Sequence, residues 1–439
     1  MNKDLLEKLF KLRRFGIKPG LERISTILNK MGNPQSLLKA IHIAGTNGKG
    51  SVASLLASIY KQAGYKVGLY TSPHIFSFNE RIKINGKPIA DNELEPLVEK
   101  YLQLASRFNA TFFEITTAIA FEYFANSNTD ICVIETGLGG RFDATNVIDP
   151  EISVLTKIDF DHEMYLGRTI EEITFEKAGI IKPNKKAIIA PNSKIVYQKL
   201  EELKGKSATL IFVEVFAKGR ILSIKPNSMN LEIETLIDYY HIDSPLIGKH
   251  QFENIATALV CVENLLDNFP IPKNAIIEGI KNVVENACIH GRFEFIRTDP
   301  PLIVDVGHNP DAISKTAELV STILRDTKWN IIFASMSDKN YCKMLEHLYP
   351  IAKTFLLPNL EFDRAERNFK LAKCFEQFPE SKNIRFQLFD SSFEALVFSL
   401  EQNEPTLIIG SFYLIAELVP HLVKILNWNF EITSDRLTI

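Results

Sequence analysis

A polar, glycine-rich stretch follows an apolar run at 41–44 and precedes a helical pattern over 52–60. The stretch reads Gly45-Thr46-Asn47-Gly48-Lys49-Gly50-Ser51. Its small residues let backbone N–H groups surround an anion, Lys49 adds a cation, and the following helix presents the positive end of its dipole. This pattern indicates a cradle for nucleotide phosphates, with the Ser51 hydroxyl as a possible Mg²⁺ ligand. An ordinary glycine-containing turn between a strand and a helix is the alternative.

The stretch departs from the strict phosphate-loop pattern G-x-x-x-x-G-K-[ST] at two positions. Ile43 stands where the first glycine belongs, and Gly50 separates Lys49 from Ser51. The order of strand, glycine loop, lysine, hydroxyl and helix is nevertheless the order that phosphate binding requires. The sequence therefore favours the phosphate interpretation over the ordinary turn.

Three further side chains follow predicted strands in the first half of the chain. Ser72 follows a strand at 67–71, Glu135 ends a strand at 130–135, and His162 follows a strand at 152–155. Ligands of doubly wound folds gather at the carboxyl ends of strands, so these side chains are candidate metal ligands. The alternatives are a turn cap before Pro73 for Ser72, a helix or turn cap for Glu135, and a surface loop for His162.

Lys177 lies in a predicted helix that begins at Thr169 and stops at Gly179. A lysine near the end of a helix is usually solvated and matched to the helix dipole. The helical pattern alone therefore does not single out Lys177.

The polar residues of the second half also follow predicted strands. Asp305 and His308 lie between a strand and a helix, and Ser411 follows the last strand. The strands in this half alternate with helical segments, which predicts a mostly parallel sheet. They are expected at 302–305, 330–334, 354–357, 385–388 and 406–409.

The length of 439 residues is too great for one typical core and predicts more than one domain. The pattern breaks at 287–292. We therefore expect an α/β protein with a P-loop-type, mostly parallel sheet domain over 1–288 and a smaller Rossmann-like α/β domain over 289–439. Within the first domain, 209–215 reads as a strand and 219–242 as an antiparallel ribbon at its edge.

Composition excludes several classes of protein. A net charge of −3 gives no bulk attraction to nucleic acid or to an anionic membrane. The chain starts with a charged helical pattern rather than a signal segment, and no apolar run is long enough to span a bilayer. The five cysteines are scattered without metal-binding spacing, and Cys132 reads as a small buried hydrophobe. These features indicate a cytoplasmic protein.

Together these motifs resemble the folylpolyglutamate synthase/dihydrofolate synthase family of the Mur-ligase superfamily, and within it the bifunctional bacterial type. The resemblance covers nearly the whole chain, because many motifs occur in the order of the family. They are the glycine stretch at 45–51, Thr71-Ser72-Pro73-His74, Glu135, Gly137 to Asn146, Asp161-His162, Glu176-Lys177-Ala178-Gly179, His250-Gln251, Asn254, Gly291-Arg292, Asp305, His308-Asn309-Pro310 and Gly410-Ser411.

The resemblance implies a role for each candidate residue. ATP would be bound by Gly45, Thr46, Asn47, Gly48, Lys49, Gly50, Ser51, Asn254, Arg292 and Asp305. Metal, expected to be two Mg²⁺ ions, would be bound by Ser51, Ser72, Glu135, His162 and Lys177, the last as a carbamylated lysine. Lys49, Lys177 and His308 would be catalytic, His308 and Ser411 would contact the incoming glutamate, and Asp143 would lie in the loop that lines the pterin substrate.

The implied activity is ATP-dependent joining of L-glutamate to dihydropteroate, to the γ-carboxylate of a folate, or to both, through an acyl phosphate. The partners would be small molecules only, and a monomer is expected. Two alternatives are a Mur-type ligase acting on a cell-wall nucleotide precursor and a P-loop protein that hydrolyses nucleotide without ligation. The chain departs from common family residues at Thr136, Phe142, Asp159 and His290. These departures leave loop geometry and pterin preference open.

Overall fold

Short apolar strands separated by helices build a large sheet in the first half of the chain. The computed structural model describes residues 3–16, 18–203, 208–378 and 385–428. The strands of this sheet are β1 (Ala40–Ala44), β2 (Val67–Tyr70), β3 (Ile82–Ile84), β4 (Lys87–Pro88), β5 (Ile131–Glu135), β6 (Ile152–Leu155), β7 (Lys186–Ile189) and β8 (Thr209–Phe212). Their spatial order is β4-β3-β2-β5-β1-β6-β7-β8.

The central strands of this sheet are parallel and fully buried. β1 pairs in parallel with β5 and β6, and β5 pairs in parallel with β2. All residues of these four strands are buried, which explains their mostly apolar sequences, since helices cover both faces of the sheet. Parallel pairing brings the carboxyl ends of the strands to one edge, and the loops that follow them meet there.

Helices pack on both faces of the sheet and connect its strands. They are α1 (Lys3–Lys11), α2 (Glu22–Lys30), α3 (Lys49–Gln62), α4 (Asp91–Phe108), α5 (Phe112–Asn126), α6 (Glu163–Leu166), α7 (Ile170–Ala178), α8 (Lys194–Leu203), α9 (Val213–Phe216), α10 (Lys249–Glu263), α11 (Lys273–Lys281) and α12 (Val283–Ala287). The central helix α3 is buried from Ser51 to Tyr60 and packs with α10 and α11, whereas α4 and α5 belong to the hydrophobic core of the opposite face.

A separate three-stranded sheet follows β8. Its strands are β9 (Ala217–Lys225), β10 (Ser228–Thr235) and β11 (Tyr239–Ser244), and both pairings are antiparallel. Leu231, Ile233 and Ile242 are buried on one face and join the core that contains α10 and α11. The predicted ribbon is therefore confirmed. The predicted strand at 209–215 is wrong beyond Phe212, where the chain turns into α9.

The second large sheet has six strands. They are β12 (Glu294–Thr298), β13 (Pro301–Asp305), β14 (Trp329–Phe333), β15 (Ala352–Pro358), β16 (Arg385–Phe389) and β17 (Thr406–Ile409), in the spatial order β12-β13-β17-β14-β15-β16. All neighbours are parallel except β12 and β13, so the edge strand β12, which the sequence pattern did not reveal, is the antiparallel one. The helices of this sheet are α13 (Pro310–Ile323), α14 (Tyr341–Leu348), α15 (Asn368–Lys373), α16 (Ser392–Gln402) and α17 (Phe412–Leu426).

Short 3₁₀ helices complete the fold at Leu12–Phe15, Pro34–Leu37, Phe78–Arg81, Ala144–Val147, Tyr349–Ile351 and Cys374–Gln377.

The predicted α/β class with two mostly parallel sheets is confirmed. The first large sheet lies before the expected boundary at 288 and the second lies after it. The boundary itself stays a prediction, and the outer ends of both ranges, 1–2 and 429–439, lie outside the described residues.

Two of the cysteines that the sequence left unassigned form a disulfide. Cys342 of α14 is bonded to Cys374, with Cα atoms 5.3 Å apart. Cys132 is a buried free thiol, as predicted. In the described part of the chain, no helix is both long enough and apolar enough to cross a membrane.

Candidate active site at the domain junction

The glycine stretch forms the turn between β1 and α3. The helix begins at Lys49, three residues earlier than the apolar pattern suggested, and Gly48 precedes it with a φ of 89°. Lys49, Gly50 and Ser51 therefore occupy the first helical turn, where backbone N–H groups have no acceptor within the helix. A Cβ at Gly48 would lie 2.4 Å from the Asn254 Oδ1 atom. The positive φ and the lack of room for a side chain therefore both favour glycine at this position.

Two lysines converge on one carbonyl oxygen of this loop. The Lys49 Nζ atom donates to the Gly45 and Thr46 carbonyl oxygens at 3.1 Å each, and the Lys177 Nζ atom donates to Gly45 at 2.7 Å. Burial, reinforced by the charge of Lys49, lowers the pKa of Lys177 to about 7. The interpretation of Lys177 as an ordinary solvated lysine is wrong, because α7 packs its side chain into the phosphate-loop region.

The start of α10 approaches the first turn of α3. The Gln251 Nε2 atom donates to the Ser51 Oγ atom at 3.3 Å, and the Asn254 Nδ2 atom donates to the Gln251 Oε1 atom at 2.9 Å. Asn254 thus lies beside the loop, and its contact with ATP stays a prediction. Gln251, which appeared in the sequence only as part of a motif, joins Asn254 to the Ser51 hydroxyl.

Glu135 brings a carboxylate from the end of β5 to the same place. Its Oε2 atom accepts a hydrogen bond from the Ser72 backbone N–H at 3.0 Å, so two predicted metal ligands are neighbours. Burial raises the pKa of Glu135, and the Lys49 charge and the Ser72 N–H oppose that rise. A Cβ at Gly50 would lie 3.1 Å from the Arg292 Nη2 atom and 3.9 Å from the carboxylate of Glu135. Gly50 therefore leaves room for Arg292 beside the first turn of α3.

A buried cluster joins His162 of the first domain to the second domain through Asp161. The Asp161 carboxylate lies 2.5 Å from the Lys339 Nζ atom, 3.7 Å from the His162 Nε2 atom and 3.9 Å from the His308 Nε2 atom. Burial alone would raise the pKa of Asp161, but these three neighbours hold it below its ordinary value. Sequence reasoning missed Lys339, since it lies in a loop after β14 without a distinctive motif.

Both histidines of this cluster are uncharged at neutral pH, because burial lowers the pKa of each to about 4. His308 Nδ1 lies 3.0 Å from the Val306 carbonyl oxygen, so it carries the proton and donates. This arrangement leaves the His308 Nε2 atom as an acceptor that faces Asp161 and the domain junction.

A second contact between the domains involves the phosphate loop itself. The Asn47 amide exchanges hydrogen bonds with Asn309 at 2.9 and 3.2 Å and donates to the Asp311 Oδ2 atom at 2.7 Å. Asn309 also caps α13 by accepting from the Ala312 N–H at 2.9 Å. The phosphate loop and the start of a helix in the second domain are therefore held against each other.

Asp305 and Ser411 hold backbone groups of the second domain. Asp305 accepts from the Phe293 and Gly307 N–H groups at 2.8 and 2.7 Å, and burial raises its pKa. Ser411 is buried and caps α17 by accepting from the Tyr413 N–H at 3.1 Å. Both residues shape the junction, and their contacts with ATP and glutamate stay predictions.

The Asp143 carboxylate accepts hydrogen bonds from groups of its own loop. Its carboxylate accepts from the N–H groups of Gly137, Leu138 and Thr145 at 2.8–3.0 Å and from the Thr145 hydroxyl at 2.5 Å. Burial raises its pKa, and these bonds oppose the rise. The structure thus places Asp143 as the residue that orders the loop predicted to line the pterin.

The donors around the loop suit a hard cation. In the described ranges, no three His, Cys, Asp or Glu side chains converge into a ready metal site. Ser51, Ser72 and Glu135 instead offer oxygen atoms near the phosphate loop. Mg²⁺ prefers oxygen ligands and is usually held by one or two protein groups together with water and substrate phosphates. The residues present therefore fit Mg²⁺ bound together with a nucleotide.

The fold and the junction define a class of enzyme, and comparison with known proteins agrees with it. Residues 43–262 match the Mur ligase middle domain, and residues 291–412 match the Mur ligase, glutamate ligase domain. The chain is therefore an ATP-dependent ligase of the Mur type. It belongs to the dihydrofolate synthase/folylpolyglutamate synthase family.

The relatives cover nearly the whole chain. The dihydrofolate synthase/folylpolyglutamate synthase of Bacillus subtilis is 35% identical over 92% of this chain and 95% of its own length. The structure of Mycobacterium tuberculosis folylpolyglutamate synthase complexed with ADP and AMPPCP has a TM-score of 0.83 and 28% identity, and the match covers 95% of this chain and 99% of that chain. Escherichia coli FolC in complex with DHPP and ADP has a TM-score of 0.82 and 26% identity, with 96% and 98% covered.

Proposed function

We propose that this protein joins L-glutamate to dihydropteroate and to the γ-carboxylate of folates, at the expense of ATP and through an acyl phosphate. The observation that carries the proposal is the junction itself. The phosphate loop contacts Asn309 and Asp311, and Asp161 reaches both His308 and Lys339. Two domains that meet directly on a phosphate loop can hold ATP on one side and an amino acid on the other.

The first step activates a carboxylate, whose oxygen is a poor leaving group. An oxygen of the acceptor carboxylate attacks the γ-phosphorus of ATP, ADP departs, and an acyl phosphate forms. Negative charge spreads over the transferring oxygens, and Lys49, Arg292 and the N–H groups at the start of α3 would stabilise it. Lys49 now contacts two loop carbonyls and would turn from them to the phosphates when ATP binds.

The second step forms the amide. The amine of L-glutamate attacks the acyl carbon, phosphate leaves, and one proton is released from the nitrogen. His308 is uncharged, so its Nε2 atom can accept a hydrogen bond from the amine. Lys339 and Ser411 both belong to the second domain, and a cation and a hydroxyl are suited to the carboxylates of glutamate.

The proposed reaction uses Mg²⁺ bound together with ATP. Held by Ser51, Ser72 and Glu135 together with the phosphates of ATP, Mg²⁺ would neutralise charge on the transferring phosphoryl group. A second ion would use His162 and a carbamylated Lys177. The acyl phosphate reacts readily with water, and the Asn47 and Asp161 contacts would help to keep the junction closed around it.

The substrate range is the direct test. We expect ADP release by the purified protein to require both L-glutamate and an acceptor, and to occur with 7,8-dihydropteroate as well as with a monoglutamyl folate. Activity with only one acceptor would reduce the proposal to a single activity. ADP release without glutamate, or only with a cell-wall nucleotide precursor, would overturn it in favour of a hydrolase or another Mur-type ligase.

Lys49→Ala tests the assignment of the phosphate loop. Loss of the cation should lower kcat by about 1,000-fold or more, because the charge on the transferring phosphoryl group loses a main counter-charge. The circular dichroism spectrum should stay unchanged. Lys61→Ala removes a lysine from the last turn of the same helix, where its Nζ atom contacts the Asn286 carbonyl oxygen, and serves as the matched control. Near wild-type ligation by Lys49→Ala would refute the assignment.

A further inference from the structure

Two arginines near the junction share an aromatic platform. The Arg13 Cζ atom lies 4.2 Å from the centre of the Phe10 ring and 4.9 Å from that of Phe112. The Arg81 Cζ atom lies 5.4 Å from the centre of the same Phe112 ring. The charge of Arg13 also lowers the pKa of Arg81, so two guanidinium groups from distant parts of the chain lie near each other.

Neither arginine forms an ion pair with a carboxylate among the residues that the structure describes. The Arg81 Nε atom donates to the His74 Nδ1 atom at 2.8 Å, an uncharged acceptor, and the arginine is only 6% exposed. The neighbouring Glu80 charge favours the charged form of Arg81, but the Glu80 oxygen atoms accept hydrogen bonds from the N–H groups of 75–77 rather than from the arginine. Burial lowers the pKa of Arg81 to about 10, so it keeps its charge at neutral pH.

A buried charge without a hydrogen-bonded counter-ion is costly, and proteins normally pair it or bind an ion of opposite sign there. The guanidinium group presents a planar set of donors that matches a carboxylate. The arrangement of Arg13 and Arg81 is therefore that of a site for an anion that arrives with a ligand.

The position of Arg13 and Arg81 indicates which ligand they would bind. His74, the partner of Arg81, lies two residues after Ser72, whose N–H binds Glu135. Tyr413 of the second domain, two residues after Ser411, lies close enough to both arginines to oppose the fall in their pKa values that burial causes. The pair thus lies beside the candidate catalytic centre, on the Ser72 side rather than on the Asn254 side of the phosphate loop, and next to aromatic rings.

We propose that Arg13 and Arg81 bind the α-carboxylate of the glutamyl residue that a folate acceptor already carries. The inference rests on the proposed function and deepens it. A folate acceptor has a reacting γ-carboxylate and a second, α-carboxylate that stays charged throughout the reaction. Dihydropteroate has only the carboxylate that reacts. The arginine pair would therefore favour folate extension and leave the first glutamate addition unaffected.

Three acceptors isolate this contact: a pteroylglutamate, its analogue in which 4-aminobutyrate replaces glutamate, and 7,8-dihydropteroate. The analogue keeps the reacting carboxylate and lacks only the α-carboxylate. We expect Arg13→Gln to lower kcat/KM for pteroylglutamate by about 10- to 100-fold, the range of a lost charge-assisted hydrogen bond. The values for the other two acceptors and the KM for L-glutamate should stay within about twofold, and Arg13→Lys should recover part of the loss.

Arg107→Gln is the matched control, because Arg107 is exposed and stacks on Phe108 rather than on Phe10 or Phe112. It should leave all three acceptors unchanged. Arg81→Lys provides a second variant at the pair and should show the same selectivity. An equal loss on all three acceptors, no loss at all, or a raised KM for L-glutamate would overturn the inference and leave the proposed function standing. If wild-type protein ligates none of the acceptors, the proposed function itself fails and the inference falls with it.

Discussion

Lys177 is the side chain in this protein whose surroundings are most unusual for its type. It is buried on α7, donates to the Gly45 carbonyl oxygen and lies close to the charge of Lys49. A lysine pKa of about 7 means that much of the amine is uncharged at neutral pH. An uncharged amine can react with CO₂, and the resulting carbamate would place a carboxylate beside the phosphate loop.

Lys177→Ala tests this modification. We expect ligation to fall by about 100-fold or more, because the carbamate oxygens would be lost from the metal site, and a short-chain carboxylate such as acetate should restore part of the activity. Intact mass measured under conditions that retain CO₂ should show its added mass on the wild-type protein only. Lys185→Ala, which alters a lysine paired with the exposed Asp149, is the control and should behave as wild type. An unmodified Lys177, or no rescue by carboxylate, would exclude carbamylation.

At the scale of elements, the turn from β1 into α3 is the structure on which the site depends. The buried β1 ends at Ala44, and α3 starts at Lys49, so only four residues separate them. The central position of β1 places this turn between the loops that follow β5 and β6. Neighbouring α10 then closes on the turn so tightly that Gly48 has no room for a side chain.

Two glycine variants separate backbone conformation from this close approach. Gly48 and Gly64 have similar φ values of 89° and 92°, but a Cβ at Gly64 would meet nothing within 4 Å. Gly64→Ala should therefore cost only about 1–2 kcal/mol of stability. Gly48→Ala should cost at least as much and also weaken ATP binding by roughly tenfold or more, since the Asn254 amide must move. Calorimetric titration with a non-hydrolysable ATP analogue measures the difference, and equal affinities for both variants would contradict the assigned role.

At the scale of the whole molecule, one hydrophobic core contains residues of both large sheets, and polar contacts join the two halves at the site. Asn47 contacts the start of α13, and Asp161 forms a buried pair with Lys339. Catalytic groups of the two domains are therefore correctly placed only when the domains are together. We therefore expect any closure of the domains to assemble the site at the same time.

The Asp161–Lys339 pair offers a test of that coupling. We expect Asp161→Asn and Lys339→Met each to lower kcat by about 10-fold or more, because each leaves a buried charge unpaired. The double variant should lose less than the product of the two single losses, since the charges act as a pair. Lys343→Met breaks only an exposed pair with Glu346 and should have no effect. Strictly multiplicative losses in the double variant would show that the pair does not couple the domains.

The order of motifs along the chain predicted the family, the two α/β units and most strands, because apolar periodicity and glycine patterns are local properties. The same local reasoning failed where local and tertiary effects differ. Residues 213–216 have strand-like composition but form α9, and Lys177 has the sequence context of a surface residue but is buried.

The sequence by itself determined which residues could do chemistry and that they follow the ends of strands. Only the tertiary structure decided which of them meet. The fold brings Gln251 into contact with Ser51, Lys339 into contact with Asp161, and Arg13 close to Arg81. The two residues of each pair are 68 to 200 positions apart in the sequence. The physical reason is that charge pairing and desolvation depend on distance in space, and a buried group acquires its pKa and its partners from elements that sequence periodicity does not connect.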